Sequence, residues 1–315
     1  MAVHAFIFPG QGSQTVGMGR DLAAAFSAAR EIFEEVDETL GQKLSKIMFE
    51  GPPESLTHTE NTQPALMTHS MAVLRVLERE GGFSVADRAT LVAGHSLGEY
   101  TALAAAGSFT TGQAARLLRL RGLAMQKAVP QGEGAMAALL GAEMELALSI
   151  CAEACALGEL VEAANDNGGG QVVISGHKIA VERAIEVAKT RGVKRALLLP
   201  VSAPFHSALM APAADAMRDA LDASRPLPPI VPLIANVTAA KVTQPDEIVR
   251  LLVAQVTATV RWRESVEAMV AMGVTSFIEL GAGRVLSGLI RRIAPDATTA
   301  SVGTPAEIEA LLKTI

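Results

Sequence analysis

The pentapeptide Gly94-His95-Ser96-Leu97-Gly98 is the strongest chemical signal in the chain. It fits G-x-S-x-G, with a buried apolar run before it and a helical pattern after it, a context that puts a serine on a sharp strand-to-helix turn. Glycine at the flanking positions permits a strained backbone and close approach of neighbouring strands. Such a turn exposes the Ser96 oxygen as a nucleophile. The next N–H, that of Leu97, can face a developing oxyanion, and the helix N-terminus favours negative charge there. The alternative is a glycine-rich turn with a capping serine.

A serine nucleophile needs a base. The histidines are His4, His58, His69, His95, His177 and His206. His95 adjoins the serine, so on a tight turn its side chain points elsewhere. His4 lies in a strand pattern, and His69 and His177 lie in or beside helical ones. His206 follows a strand and precedes a helix, in Pro204-Phe205-His206-Ser207. Open α/β sheets carry their reactive groups on loops of that kind. A satisfied loop histidine is the alternative reading.

Arg121 supplies a second constraint. At 100° per residue, Arg116, Arg119, Gln126 and Lys127 share one face of its helix, and Ala114, Leu117, Leu118 and Met125 share the other, with Arg121 among them. Arginine on an apolar stripe is rare unless paired. The helix after Ser96 climbs for roughly 15 Å, and the return from Thr111 to Arg121 covers about the same length. An antiparallel hairpin would bring Arg121 back level with Ser96, where a substrate carboxylate is its natural partner. A structural salt bridge is the alternative.

Other chemistries fail on spacing. Gly10-Gln11-Gly12 follows a strand, but Thr15 stands where a dinucleotide fingerprint needs glycine, and no G-x-x-x-x-G-K-[ST] occurs. Gly168-Gly169-Gly170 precedes a strand rather than a helix. No His or acidic cluster has metal-ligand spacing. With a formal net charge of −6 and only 3% aromatic residues, the chain lacks the features of a nucleic-acid binder. Half of its 315 residues are apolar, enough for a full core. Cys151 and Cys155 fit no disulfide or CxxC pattern and read as small buried hydrophobes in a reducing compartment. No run of 18 apolar residues exists and no signal peptide is recognisable, so a cytoplasmic location is expected.

The elements that must carry these residues read as follows. Apolar runs at Ala2–Phe8 and Ala89–Ala93 predict buried strands, and Asp21–Leu40 and Gln63–Glu80 predict amphipathic helices. Helices are expected over Leu97–Ala106 and Thr111–Gln126. From Gly134 to Pro200 the order is strand, helix, strand, strand, helix, strand, the ferredoxin-like split βαβ pattern. Its strands are Ala135–Leu140, Leu160–Ala164, Val172–Ser175 and Ala196–Leu199. Its helices are Glu143–Ala156 and Ile179–Arg191. Strands at Leu233–Asn236 and Ser276–Glu279 then alternate with helices. The expected fold is α/β: a parallel sheet covered by helices over 1–130 and 201–315, with an inserted α+β subdomain over 131–200.

At these residues the sequence resembles the malonyl-CoA:acyl-carrier-protein transacylases of fatty acid synthesis. The resemblance rests on Phe8-Pro9-Gly10-Gln11-Gly12-Ser13-Gln14, Asn61-Thr62-Gln63-Pro64-Ala65, Gly94-His95-Ser96-Leu97-Gly98-Glu99-Tyr100 and Arg121. It continues through Gln171-Val172-Val173-Ile174-Ser175-Gly176, Phe205-His206-Ser207 and Glu279-Leu280-Gly281. It implies an α/β-hydrolase-like core with a ferredoxin-like insert. It also implies transfer of malonyl from malonyl-CoA to the phosphopantetheine thiol of holo acyl carrier protein through a malonyl-serine intermediate, with no bound cofactor or metal. By the same resemblance Ser96 is the nucleophile, His206 its base, and the Gln11 and Leu97 amides the oxyanion hole. Arg121 clamps the malonyl carboxylate, and the Gln255 carbonyl orients the histidine. Asn167 and Asn165 line the acyl-CoA cleft, and Gln63 lies near the nucleophile. Leu97 and Phe205 match the malonyl-selective pattern. Ala282 departs from the usual proline of the Glu-Leu-Gly-Pro segment.

Two further expectations accompany this reading. Lys189, Arg191, Lys194 and Arg195 form a local basic cluster that could steer an acidic carrier protein, or simply be a solvated helix end. The rival activities are a serine hydrolase or thioesterase, a noncatalytic carrier-binding module, and a malonyl transferase serving a polyketide synthase or malonate decarboxylase.

Overall fold

The computed structural model describes residues 3–201 and 203–314. Ten strands form two sheets. The larger holds β1 (His4–Phe8), β2 (Leu91–Gly94), β7 (Leu233–Ile234), β8 (Lys241–Val242), β9 (Ser276–Leu280) and β10 (Thr298–Val302). Its order is β10-β9-β1-β2-β7-β8. All pairs are parallel except β7 with β8, which closes one edge antiparallel. The parallel expectation is therefore corrected at that edge, where a short return from Ile234 to Lys241 leaves no room for a crossover helix.

The sheet is covered on both sides because its central strands are buried and apolar over Ala5–Phe8 and Leu91–Gly94. Along β1, Phe6 and Phe8 enter the core on one face with Val92 and Leu280, while Ala5 and Ile7 enter the core on the other with Ala93 and Phe277. The period-two geometry of a strand sends alternate side chains to opposite layers.

The smaller sheet holds β3 (Gly134–Leu140), β4 (Val161–Asp166), β5 (Gln171–His177) and β6 (Arg195–Leu198). Its order is β4-β5-β3-β6, and every pair is antiparallel. The helices Met144–Ala154 and Lys178–Thr190 cover one face. Met136, Ala138 and Val173 on the other face join the main core. This is the ferredoxin-like pattern read from the sequence, with boundaries within two residues.

Elsewhere the local reading needs correction. The helix expected over Asp21–Leu40 is two, Arg20–Ala25 and Ser27–Leu40, broken at an extended Phe26. The Arg30 side chain takes up the Ala23 carbonyl across the break. The helix expected from Gln63 starts at Thr59 and runs to Gly81 with Pro64 inside it. Proline supplies no N–H for the carbonyl four residues earlier, and here Arg119 Nη1 donates to Glu60 O at 3.1 Å instead. Cys151 is buried as expected, but Cys155 is exposed, one residue past the end of its helix. Ala2 of the first strand's expected span lies outside the described residues. Among the described residues no helix is long and apolar enough to cross a membrane.

Candidate active site

The site lies where β1 and β2 end, at the carboxyl edge of the parallel sheet, the usual place for ligands in such folds. After β2 the chain turns sharply into the Leu97–Ala105 helix, with Ser96 at φ 53° and ψ −110°. A non-glycine residue in that region is strained and persists only when its surroundings hold it. Two devices do so here. A Cβ at Gly94 would collide with the Gly98 backbone, and one at Gly98 would collide with the Phe8 carbonyl, so both glycines are required by close approach. Asn236 then staples the turn. Its Oδ1 accepts from Ser96 N–H at 2.8 Å and its Nδ2 donates to Gly94 O at 2.7 Å.

Ser96 Oγ lies 2.7 Å from His206 Nε2. His206 is buried, also at positive φ (56°), and its Nδ1 lies 2.8 Å from the Gln255 carbonyl oxygen. That carbonyl can only accept, so Nδ1 carries the proton and the Nε2 lone pair faces the serine. Gln255 ends the helix Pro245–Gln255, and the last carbonyls of a helix lack internal donors. A main-chain oxygen thus stands where a triad acid would. Burial, with the Arg121 charge second, lowers His206 from 6.5 to about 3. The imidazole is neutral at physiological pH, the form a base requires.

Arg121 reaches the same point from the helix Thr111–Ala128, which packs against the Leu97–Ala105 helix. It is 1% exposed. Nη2 donates to Ser96 Oγ at 3.2 Å and to Gln255 Oε1 at 2.8 Å, and Nη1 donates to Gln63 Oε1 at 2.8 Å. All three acceptors are uncharged, and Nε has no partner among the described residues. The Tyr100 ring lies 5.7 Å beneath the guanidinium. Burial lowers the guanidinium from its ordinary value, opposed by Tyr100 and by Glu99, which sits beyond Gln255.

The cleft in front of these groups is about 500 Å³ and mainly apolar, with walls that include Met125, Met136, Leu199 and Val201. Gln11, Gln63, Leu97, Asn165 and Phe205 line it. The Leu97 N–H is the first of its helix, among those left without an internal acceptor. Asn167 is the exception. It is buried behind the cleft wall, its Oδ1 lying 2.9 Å from His95 Nε2, and only Asn165 of the pair faces the cleft. Asn167 lies just past β4, which ends at Asp166, where its N–H donates to Gln171 O at 3.0 Å and its side chain reaches His95. His95 turns away from Ser96 toward Asn167 and packs on Trp262.

Sequence reasoning missed Asn236, Glu99 and the side chain of Gln255. Asn236 ends a strand pattern beside the site, the one local hint of its role. Of the basic cluster, Lys189 is paired with Glu186 and Arg191 with Glu153. Among the described residues, no group of three or more His, Cys, Asp or Glu is placed to hold a metal.

Comparison with known proteins matches residues 5–304 to the acyl transferase domain family. The chain is 46% identical over 315 residues to the malonyl CoA-acyl carrier protein transacylase of Bacillus subtilis, covering 100% of this chain and 98% of that one. A solved acyl-carrier-protein S-malonyltransferase of Bartonella henselae is 57% identical with a TM-score of 0.96, over 99% of this chain and 98% of that one. A malonyl-transacylase solved in complex with a type II PKS acyl-carrier protein is 43% identical with a TM-score of 0.95, over 100% of both chains.

Proposed function

We propose an activity from the premise that this chain belongs to the acyl transferase family: it moves the malonyl group of malonyl-CoA to the phosphopantetheine thiol of acyl carrier protein, supplying malonyl carrier protein for fatty acid synthesis. The observation that carries the reading is Arg121. A buried guanidinium beside the serine, held among the described residues by neutral oxygens only and with Nε unpartnered there, is matched to an acyl group ending in a carboxylate. A neutral ester would leave it uncompensated.

The steps are those of ping-pong covalent catalysis. Ser96 Oγ attacks the malonyl thioester carbon while His206 Nε2 takes its proton. The tetrahedral oxyanion is met by the Gln11 and Leu97 amides, each such donor lowering the barrier by about 3–4 kcal/mol. The carbon–sulfur bond breaks, and CoA departs as a thiol with the proton from His206. The carrier thiol then gives its proton to His206, attacks the malonyl ester, and Ser96 leaves as the alcohol. The malonyl carboxylate, by engaging Arg121, also neutralises a charge that suppresses His206 as a base. No cofactor or metal enters these steps.

The assigned roles follow: Ser96 and His206 catalytic, Gln11 and Leu97 for the oxyanion, Arg121, Gln63, Asn165 and Phe205 for the substrate, and Gln255 orienting the histidine. Residues 131–200 act as an inserted subdomain that walls the cleft through Met136 and Asn165. The protein works in the cytoplasm. A polyketide carrier is the second acceptor to consider, because the relative solved with its carrier protein serves that class.

Intact-mass measurement after malonyl-CoA tests the reading. One malonyl adduct, lost in Ser96→Ala and discharged by holo carrier protein, is expected. Release of free malonate at the same rate with and without carrier protein would make the enzyme a hydrolase, and no adduct would make it a binding module.

A further inference from the structure

Glu99 takes no part in the steps above, yet it is only 1% exposed and lies three residues after the nucleophile. An acid in the first turn of a helix ordinarily serves the N–H groups there. This one is turned away. Its Oε2 accepts from Gln255 Nε2 at 2.8 Å and from Asn236 N–H at 3.1 Å. Burial raises the carboxyl to about 7, a cost that an apolar side chain of similar volume would avoid. Both groups it touches reach the site, Asn236 through the Ser96 main chain and Gln255 through Arg121, and only Gln255 meets the guanidinium.

The Gln255 amide has two orientations of nearly the same shape and opposite polarity. With Nε2 facing Glu99 Oε2 and the Ser96 carbonyl (2.9 Å), Oε1 is left to accept from Arg121 Nη2. Turned over, the amide would set an NH2 against the guanidinium and an oxygen against the carboxylate. We propose that Glu99 is a positioning residue for acyl-group selection: by fixing the Gln255 amide it holds the Arg121 fork over Ser96, and so sets the preference for acyl groups that end in a carboxylate. The histidine is spared, because His206 is oriented by the Gln255 main chain, which the amide orientation leaves in place. The inference rests on the reading of Arg121 as the carboxylate-binding group.

The test compares malonyl and acetyl transfer to holo carrier protein, and the rate at which a neutral fluorophosphonate labels Ser96, in wild type, Glu99→Leu and Glu99→Gln. A wild type that does not prefer malonyl overturns the functional reading and is read first. Given that preference, Glu99→Leu is expected to lower malonyl kcat/KM about tenfold or more, chiefly through KM, with acetyl transfer and Ser96 labelling changed by no more than about threefold. Glu99→Gln can offer an oxygen to the same two N–H donors and is expected to restore the malonyl/acetyl ratio to within about threefold of wild type. In an Arg121→Ala background, Glu99→Leu should leave the ratio where Arg121→Ala alone sets it. A Glu99→Leu protein that labels normally and keeps the wild-type ratio overturns the proposal, as does one that lowers malonyl and acetyl transfer equally. Should Glu99→Leu not fold, Glu99→Asp, which withdraws the oxygen by one methylene, must lower the same ratio, and an unchanged ratio there overturns it too.

Discussion

Ser96 is met from two sides by groups of opposite purpose. His206 Nε2 stands ready to take its proton at 2.7 Å, while Arg121 Nη2 donates to the same oxygen at 3.2 Å. On the proposed reading, a carboxylate-bearing acyl group gives the guanidinium a charged partner, and an acetyl group does not. Arg121→Ala is therefore expected to lower malonyl transfer by roughly 10²- to 10⁴-fold, the value of a buried charge pair of about 3–5 kcal/mol, and to narrow the malonyl/acetyl preference. Competition kinetics with the two CoA esters decides it, and an unchanged preference removes Arg121 from substrate selection. The buried titratable groups give a second test. His206 is lowered from 6.5 to about 3, so the unfolded chain binds the extra proton between those values and stability falls as pH drops through that window. Glu99 is raised from 4.5 to about 7, so the folded chain holds the extra proton and stability falls as pH rises through that range. Glu99→Gln should therefore gain up to roughly 3 kcal/mol relative to wild type at pH 8 and nothing at pH 4, by urea unfolding. Parallel stability curves for the two proteins would count against an ionisable Glu99.

The element that makes this chemistry possible is the turn between β2 and its helix. Gly98 packs on the Phe8 carbonyl of β1, so the helix can start directly above the sheet edge. Gly98→Ala is expected to push the helix off β1, destabilise the fold by about 1–3 kcal/mol as overpacking does, and reduce Ser96 labelling by a fluorophosphonate. Labelling at the wild-type rate would mean that the turn tolerates the displacement. The Ser96 and Arg121 helices show how far an element can be read in advance. Apolar spacing placed Arg121 on the inner stripe, and rise per residue placed it level with Ser96. The same reasoning failed where a side chain repairs the backbone. Arg30 at the Phe26 break and Arg119 at the Pro64 interruption are donors from outside the local pattern. No periodicity argument includes such donors.

At the scale of the molecule, the antiparallel sheet leans its Met136, Ala138 and Val173 face on the main core, so the cleft is walled by both sheets. The basic cluster lies on the smaller one. Lys189 and Arg191 are already paired with acids, which leaves Lys194 and Arg195 as the members available to an acidic carrier. Reversing both to Glu is expected to slow carrier malonylation several-fold at low salt, with the difference shrinking at high salt, while adduct formation from malonyl-CoA stays unchanged. A carrier rate indifferent to the reversal would place docking elsewhere. What the sequence by itself determined here is whatever local order encodes. A strand–Gly-x-Ser-x-Gly–helix turn forces a serine outward, alternating apolar residues build a two-faced sheet, and a βαββαβ order closes an antiparallel one. What only the tertiary structure decided are the partners brought in from far along the chain. Asn236 reaches the Ser96 turn across 140 residues, and Gln255 reaches Glu99 across 156. Asn165 lines the cleft, while Asn167, two residues on, turns to His95. An amide or a carboxyl carries no mark in the sequence of which hydrogen bond it will make, because that depends on the direction in which the packed backbone aims it.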